Sequence, residues 1–285
     1  MDRRTFLKSL GIYLLSRQIG LHNSTWAFAP AITPPQSLLG SSENQPNPNT
    51  DQSSHPIHDI LLSPHDRTTL QTALTRFTRI QATVGHGKFN LLGFDDSLRI
   101  ARSYQRVGDF TSRELTFLEK IFYTDAQDYG FMGQKLFADI TNTINTRKVY
   151  KVPSTGNYLY SGSSATLYQR VARDIGDQLV LTAGIRGIAK QYYLFLKKVA
   201  NSRGNLSVAS RSLAPPGYSY HGVGDFDVGQ VGYGAANFTE RFSRTRVYRN
   251  ITQLDYVIFR YPRNNQLGVR FEPWHIQVSP NTAKS

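Results

Sequence analysis

Two short segments in the last third of the chain place histidines near carboxylates. In the first, a rigid Pro-Pro-Gly turn at residues 215–217 leads to His221, after which Asp225 and Asp227 alternate in a strand-like stretch. The second segment ends at His275. Either histidine alone is more typical of a hydrogen-bonded core or surface imidazole. Two histidines and one aspartate from separate strands, however, form the three-ligand set with an open fourth position that is typical of catalytic zinc.

A further carboxylate lies close to the second histidine. Glu272 precedes His275 by three residues, so on a regular strand the two side chains would face opposite sides. Pro273 must therefore bend the chain if both side chains are to reach one site. A carboxylate that lies near a metal ion without binding it can act as the general base for the attacking water, and we expect this role of Glu272.

One arginine follows a short apolar segment that is consistent with a buried strand. Residues 179–182 are apolar and rich in β-formers, and the segment 183–191 that contains Arg186 comes directly after them. At the end of a strand this side chain can point into a cleft, where its planar guanidinium suits a carboxylate or another anionic oxygen. The alternative is an arginine in solvent at the start of a helix.

The elements that position these residues change in character near Thr146. Before it the chain has helical signals, which are an apolar face after Ser63-Pro64, a capping box of Thr111 with Glu114, and residues 133–144. After it we expect alternating strands and helices, with a strand at 206–210 and a hairpin of 255–260 with 269–272. Helices followed by mostly antiparallel strands predict an α+β protein.

The first residues have the layout of a bacterial export signal. Arg3-Arg4 is followed by Phe-Leu-Lys, an apolar stretch and small residues near position 29. We therefore expect residues 1–31 to be a signal peptide of the twin-arginine type and the protein to be periplasmic. The alternatives are an N-terminal helix of the domain or a membrane anchor. Residues 32–59 are rich in proline and small polar residues, which predicts a flexible linker.

The composition excludes several classes of protein. Hydrophobic residues make up 39% of the 285, which is enough to exclude wholesale disorder. The sequence has no run of 18 apolar residues, and this excludes a polytopic membrane protein. The absence of cysteine excludes a disulfide scaffold, thiol catalysis and Cys-ligated metals, which leaves histidine and carboxylates as ligands. The net charge of +13 suits an anionic partner, and export favours a cell-envelope polymer over nucleic acid.

Taken in chain order, these segments resemble the VanY-like zinc D-Ala-D-Ala carboxypeptidases, a family related to the VanX-type dipeptidases and the Hedgehog signalling domain. The family motifs are SGYRSxxxQ, SxHxxGxAxD and ExWH. Residues 183–191 match the first with its Ser and Tyr replaced; the second is matched at its start by Ser219, His221 and Gly224, and the third without a gap by Glu272, Trp274 and His275. The resemblance covers about residues 147–285, and its last motif is short but specific.

The second motif departs from the family at the metal-binding aspartate. The family places this residue seven positions after the histidine, where this chain has Val228. Asp227 lies six positions after His221 and Asp225 lies four. Because the shift to Asp227 is the smaller distortion, we expect Asp227 to be the ligand and Asp225 to orient a ligand or remain near solvent. Asp225 stays open as the alternative ligand.

The helical signals predict a helical N-terminal domain over residues 60–146, and the resemblance implies a zinc peptidase domain over residues 147–285. It implies Zn²⁺ bound by His221, Asp227 and His275, with Glu272 and Arg186 as catalytic residues and with Arg186, Ser219 and Trp274 in the substrate site. The implied reaction removes a terminal D-Ala from peptidoglycan stem peptides. Three alternatives remain: an L,D- or D,D-endopeptidase of the same fold, a non-catalytic zinc-containing cell-wall binding module, and a basic helical envelope-binding protein. Any membrane contact is expected only through the signal or an anchor.

Overall fold

The computed structural model describes residues 59–278 of the chain. The predicted signal peptide at 1–31 and all but the last residue of the predicted linker at 32–59 lie outside the described residues. Within the described part, no helix is both long and apolar enough to span a membrane.

Helices form the first half of the described chain. They are α1 (Pro64–Val84), α2 (His86–Phe89), α3 (Phe94–Ser103) and α4 (Ser112–Tyr123). The Ser63 hydroxyl accepts a hydrogen bond from the backbone N–H of Asp66 and so caps α1 at the predicted start. Thr111 and Glu114 cap α4 reciprocally, as their spacing predicts. Both helix starts are therefore confirmed.

The helix predicted over residues 133–144 is wrong, because this segment has no regular secondary structure. The backbone N–H groups of Leu136 and Phe137 both donate to the carbonyl oxygen of Gly217 instead of to a helical turn. The Asn142 side chain accepts from the backbone N–H of Asp139, a local bond that competes with a helix. The segment is thus an extended connection that packs against the loop before His221.

The remaining elements are two sheets with helices between their strands. In chain order they are β1 (Val149–Lys151), β2 (Tyr158–Tyr160), α5 (Ser163–Ile175), β3 (Leu179–Ala183), α6 (Ile188–Asn201), α7 (Leu206–Ser210), β4 (Phe226–Gln230), α8 (Arg246–Ile251), β5 (Ile258–Tyr261) and β6 (Glu272–Gln277). Strands β1 and β2 pair with each other, and the larger sheet has the order β3-β4-β6-β5 with antiparallel neighbours throughout. The predicted α+β class, helices first and then a small antiparallel sheet, is confirmed.

Residues 206–210 form helix α7, so the strand predicted there is wrong. The Asn205 side chain accepts from the backbone N–H of Val208 and caps the helix. Leu206 and Ala209 are both buried, and their spacing of three residues fits one face of a helix. The alternation of the five residues in the sequence fits a strand equally well. Over so short a segment the cap decides the conformation.

The predicted hairpin is present with a longer loop. Strands β5 and β6 pair antiparallel, with Ile258 opposite Gln277 and Tyr261 opposite Glu272. Phe259 pairs with Ile276. From this pair to the pair of Tyr261 with Glu272, β5 advances by two positions whereas β6 spans four, so β6 bulges in this interval. This bulge matters for the site described below.

One hydrophobic core joins the helices on both sides of Thr146. The Phe77 ring of α1 stacks on the Tyr192 ring of α6, with centroids 5.6 Å apart. The Tyr192 hydroxyl donates to the backbone carbonyl of Leu118 in α4 at 2.7 Å. The described residues belong to one compact unit. The division into two domains near Thr146 stays a prediction.

Candidate metal centre and active site

The centre of the larger sheet brings the predicted ligands together. Asp227 on β4 and His275 on β6 are directly paired across these antiparallel strands, so their side chains project from the same face. His221 comes from a 3₁₀ turn, Tyr220–Gly222, shortly before β4. Gly224 allows the return into the strand with a φ of +133°, a conformation that side chains rarely adopt. The shortened segment between His221 and Asp227 is thus accommodated by this turn.

Three donor atoms converge at this point. The Asp227 Oδ1 atom lies 3.3 Å from His221 Nε2 and 3.3 Å from His275 Nδ1, and all three side chains are buried. These atoms all lie within 4.8 Å of one another. Asp227 Oδ1 has no hydrogen-bond partner although it is buried. An unsatisfied buried carboxylate oxygen is costly, and a metal ion held by these three donors would satisfy it.

The surroundings of His221 fix which of its nitrogens is free. His221 Nδ1 lies 2.9 Å from the backbone carbonyl oxygen of Gly184. A carbonyl oxygen can only accept, so Nδ1 carries the hydrogen and donates it. The lone pair of the neutral ring is therefore on Nε2, the atom that faces Asp227.

His275 is oriented by a carboxylate rather than by a carbonyl group. Its Nε2 lies 3.1 Å from Asp225 Oδ2, so this nitrogen carries a hydrogen and Nδ1 faces Asp227. Asp225 also accepts two hydrogen bonds from the Arg260 guanidinium, at 2.7 and 3.0 Å, and one from the backbone N–H of Val278. In metal sites, a carboxylate often accepts a hydrogen bond from the histidine nitrogen that does not bind the metal.

Burial and charge set opposite protonation preferences for the two imidazoles. Burial, together with the charge of Arg186, lowers the pKa of His221 to about 4. Burial also disfavours the charged form of His275, but the hydrogen bonds with Asp225 and Glu272 and the charge of Asp227 outweigh it and raise its pKa to about 9. Burial alone would raise the pKa of Asp227, yet the neighbouring histidines hold it below its ordinary value.

The donor set fits a zinc ion. Tetrahedral bonds of about 2.0–2.1 Å place neighbouring ligand atoms roughly 3.3 Å apart. The two distances from Asp227 Oδ1, to His221 Nε2 and to His275 Nδ1, both have this value. Two nitrogens and one carboxylate oxygen leave a fourth position for water or substrate, which is the arrangement of a catalytic site.

Glu272 reaches the same centre because of the bulge in β6. Its Oε2 atom lies 3.6 Å from His275 Nδ1, although residues three apart on a regular strand face opposite sides. The bulge includes Pro273, the residue whose bend the sequence requires. Burial raises the pKa of the Glu272 carboxyl above its ordinary value, and the like charge of Asp227 adds to this shift.

Arg186 lies in the loop between β3 and α6. Its Nη2 atom is 3.8 Å from Asp227 Oδ2, and its Nη1 donates to Gln191 at 3.3 Å. The loop backbone is fixed by two bonds of 2.7 Å, from Ile185 N–H to the carbonyl of Tyr158 and from Gly187 N–H to the carbonyl of Asn90. The guanidinium is thus held at the metal centre and not in solvent.

These groups open onto one cleft with a volume of about 510 Å³. Ser219 and Trp274, which the sequence places in the substrate site, both line it. Trp274 is buried against the Phe238 ring, and the Arg270 guanidinium lies 5.4 Å from its centroid. The structure therefore gathers every predicted site residue around this cleft.

Several residues in or behind the cleft carry no signal in the motifs. The Tyr261 ring lies edge-on to His275 with centroids 4.9 Å apart, and Arg260 holds Asp225. Both residues lie on β5, for which the predicted hairpin indicates the neighbouring strand but not which side chains face the metal centre. Asn90 lines the cleft from the helical section, so only the tertiary fold could reveal it.

Residues 163–281 match the family model VanY, described as D-alanyl-D-alanine carboxypeptidase. This segment is therefore similar to the VanY domain. The match spans less than half of the chain and contains every residue placed at the metal centre. It confirms the resemblance drawn from the motifs and, with it, the expectation of an enzyme of the metallopeptidase class. No curated protein matches the chain.

Part of the chain is also similar to solved structures. A variant of the vancomycin resistance D,D-pentapeptidase VanY in complex with Zn(II) is 26% identical, with 46% of this chain and 77% of that chain covered and a TM-score of 0.35. VanYB in complex with D-alanine-D-alanine is 24% identical over 52% of this chain and 84% of that chain, with a TM-score of 0.38. The LdcB LD-carboxypeptidase is 23% identical over 52% of this chain and 66% of that chain, with a TM-score of 0.36.

Proposed function

We propose that the protein is a zinc-dependent carboxypeptidase that removes the terminal D-Ala from peptidoglycan stem peptides. One observation carries this proposal. His221 Nε2 and His275 Nδ1 converge on the unsatisfied Asp227 Oδ1 inside a cleft, within the segment that matches the VanY family.

His221, Asp227 and His275 would hold the zinc ion. When bound, zinc would supply a Lewis acid that polarises the scissile carbonyl and increases the acidity of water. The chain keeps both imidazoles in the required orientation, through the Gly184 carbonyl for His221 and through Asp225 for His275. Neither ring can then turn its free nitrogen away from the centre.

Glu272 would be the general base and then the general acid. It would accept a proton from the attacking water and later deliver one to the departing amine nitrogen as the peptide bond breaks. Its buried carboxyl lies beside the metal centre, and burial raises its pKa toward the range in which it both accepts and releases a proton.

Arg186 would hold an anionic oxygen of the substrate. Its guanidinium lines the cleft close to Asp227, and a planar fork of donors suits a terminal carboxylate or the oxygen that becomes negative during hydrolysis. Ser219 and Trp274 would form part of the surface that contacts the peptide.

The proposed compartment is the periplasm. Arg3-Arg4 followed by Phe-Leu-Lys suits the twin-arginine route, and the excess of 33 lysine and arginine over 20 acidic residues suits anionic envelope polymers. In the periplasm the protein would have access to peptidoglycan, its proposed substrate.

The decisive experiment is to measure bound zinc in the purified protein and to incubate the zinc-loaded protein with muropeptides. We expect about one zinc per chain and products lighter by one alanine residue in the mass spectrum. Products cut inside the stem or the cross-link would identify an endopeptidase instead. Stoichiometric zinc without any product would favour the non-catalytic binding module, and absence of zinc would overturn the proposal.

A further inference from the structure

Lys190 lies in the cleft without a role in the proposed reaction. It is on the first turn of α6, four residues after Arg186, and its side chain lines the cleft that contains the metal centre. The first family motif accepts any residue at this position. The amine therefore belongs to the cleft of this chain and not to the machinery indicated by the motifs.

The charge of Lys190 is not neutralised by the described part of the protein. Its ammonium donates to Gln81 Oε1 at 3.1 Å, and the charges that act on it, Arg186 and Lys197, are both positive. The other two cations of the cleft lining do have carboxylates nearby, Arg186 at 3.8 Å from Asp227 and Arg270 at 4.0 Å from Glu272. Lys190 is thus the lining cation, among residues 59–278, that lacks an acidic neighbour.

The surroundings hold this ammonium in place. The Phe89 and Tyr193 rings lie 5.7 and 5.3 Å from Nζ, so the side chain is held between aromatic faces rather than extended into solvent. Burial and the two positive neighbours lower its pKa to about 8. Keeping a half-buried amine beside other cations costs free energy, which an anionic ligand would recover.

The wall beside Lys190 comes from outside the family match. His86 and Asn90 from the helical section and Asn157 from just before β2 line the same cleft. The Asn90 side chain donates to the Asn157 side chain at 3.3 Å, which joins the two parts of the wall. All three residues precede position 163, where the match begins. Beside Lys190, this end of the cleft thus has polar side chains from this chain's own N-terminal part, and none of these three is a carboxylate.

We propose that Lys190 and this wall form a second anion subsite, which binds a carboxylate carried in the body of the peptide in addition to its C-terminal carboxylate. The inference rests on the proposed function, since it takes the cleft to be a peptide site. Arg186 and Lys190 are two separate cations, so a substrate with two carboxylates neutralises both. The substrate class is an acidic peptide that ends in D-Ala-D-Ala.

The test uses three pairs of N-acetylated pentapeptides ending in D-Ala-D-Ala. Within each pair, one of the three preceding positions carries Glu in one peptide and Gln in the other. Dissociation constants at pH 7 are measured by calorimetry with zinc-loaded protein, and kcat/KM is measured where cleavage occurs. Lys190→Met removes the charge, Lys190→Arg keeps it, and Lys197→Met removes an exposed lysine of the same helix as the matched control.

We expect the native protein to bind the Glu member of at least one pair about 10-fold more tightly, the scale of a hydrogen bond between charged groups. Lys190→Met should lose this preference, whereas Lys190→Arg and Lys197→Met should retain it. Equal affinity for the members of all three pairs, or a preference that survives in a folded Lys190→Met protein, would overturn the subsite. Because binding is measured directly, a preference without any cleavage would refute only the proposed hydrolysis.

Discussion

Asp227 Oδ1 lies 3.3 Å from His275 Nδ1, while Asp225 Oδ2 lies 3.1 Å from Nε2 of the same ring. One imidazole thus lies between two carboxylates that share a face of the chain entering β4. Asp225 is occupied by Arg260 and by a backbone N–H, whereas the Asp227 oxygen has no hydrogen bond. The two aspartates therefore have different tasks although they have the same side chain.

This difference predicts opposite results of two substitutions. Asp227→Ala should strip zinc from the protein, because it removes one of three ligands. Asp225→Ala should keep stoichiometric zinc but weaken its affinity by roughly 10–100-fold, the scale for a residue that orients a ligand. Metal analysis and chelator competition measure both effects.

Asp225→Asn is the control that separates orientation from folding. It keeps the size of the side chain beside Arg260 and removes the carboxylate charge, so its melting temperature should be closer to native than that of Asp225→Ala. If Asp225→Ala loses zinc while Asp227→Ala keeps it, the ligand is Asp225. Zinc in both variants would show that neither aspartate is an essential ligand.

Glu272→Gln should leave zinc content and folding nearly unchanged, because the residue is not among the proposed ligands. Hydrolysis should fall by roughly 10² or more, the scale of a lost general base. Steady-state kinetics on a D-Ala-D-Ala peptide, with zinc content measured on the same sample, provides the comparison. Unchanged turnover would remove Glu272 from the mechanism.

The pKa of about 8 at Lys190 predicts a pH dependence of peptide selection. Below that pH the amine is charged and should favour the carboxylate-bearing peptide; as the pH rises through 8 the preference should fade. The charged groups that act on it, Arg186 and Lys197, are both positive. Lys190→Arg should keep its preference at pH 9, and a native preference that is constant from pH 6 to 9 would contradict the prediction.

Glu114 should stabilise the helical section only when it is ionised. The Glu114 Oε2 atom accepts a hydrogen bond from Arg76 Nε at 2.7 Å and another from the backbone N–H of Thr111 at 2.8 Å. Burial alone would raise the pKa of Glu114, but these bonds outweigh it and hold the pKa below its ordinary value. Its contribution is therefore complete above about pH 4.5 and is lost as the pH falls through the lowered native pKa. Glu114→Gln should lower the free energy of unfolding at pH 7 by roughly 1–3 kcal/mol.

Denaturant titrations at pH 7 and at pH 3 measure this difference. The gap between the native protein and Glu114→Gln should be smaller at pH 3. A gap that stays the same at both pH values would show that the substitution acts through packing and not through charge.

Replacing Arg3 and Arg4 together by lysine should retain the protein in the cytoplasm if the twin-arginine route exports it. Cell fractionation followed by immunoblotting measures the distribution. A single Arg17→Lys change outside the arginine pair is the matched control and should leave export unchanged. Normal periplasmic appearance of the double variant would indicate another route.

Sequence patterns predicted those parts of the fold whose position depends on local chemistry. The cap at Ser63, the capping box of Thr111 with Glu114 and the strand before Arg186 each involve neighbours within a few residues. The choice between Asp225 and Asp227 was harder, because both lie on the same face of a strand. The structure places Asp227 opposite His275, and this pairing between β4 and β6 is a tertiary fact.

The patterns failed where local signals were weak or misleading. Five residues of alternation at 206–210 fit either a helix or a strand, and the Asn205 cap was decisive. Residues 133–144 have helical spacing, but their N–H groups bond to the Gly217 carbonyl, a partner some eighty residues away. The cleft wall at Asn90 likewise depends on contacts between distant parts of the chain.

The loop that carries Arg186 is held in place by residues outside the segment that matches the VanY family. Its N–H groups at Ile185 and Gly187 bond to the carbonyls of Tyr158 and Asn90, both of which precede the segment shared with the VanY family. A side chain at Gly187 would meet the Leu92 carbonyl oxygen at 2.5 Å, so the fit between the two parts is close. The segment 163–281 therefore depends on the rest of the chain for the position of Arg186. Grafted alone into another protein, residues 163–281 would lack the backbone acceptors that position their own arginine.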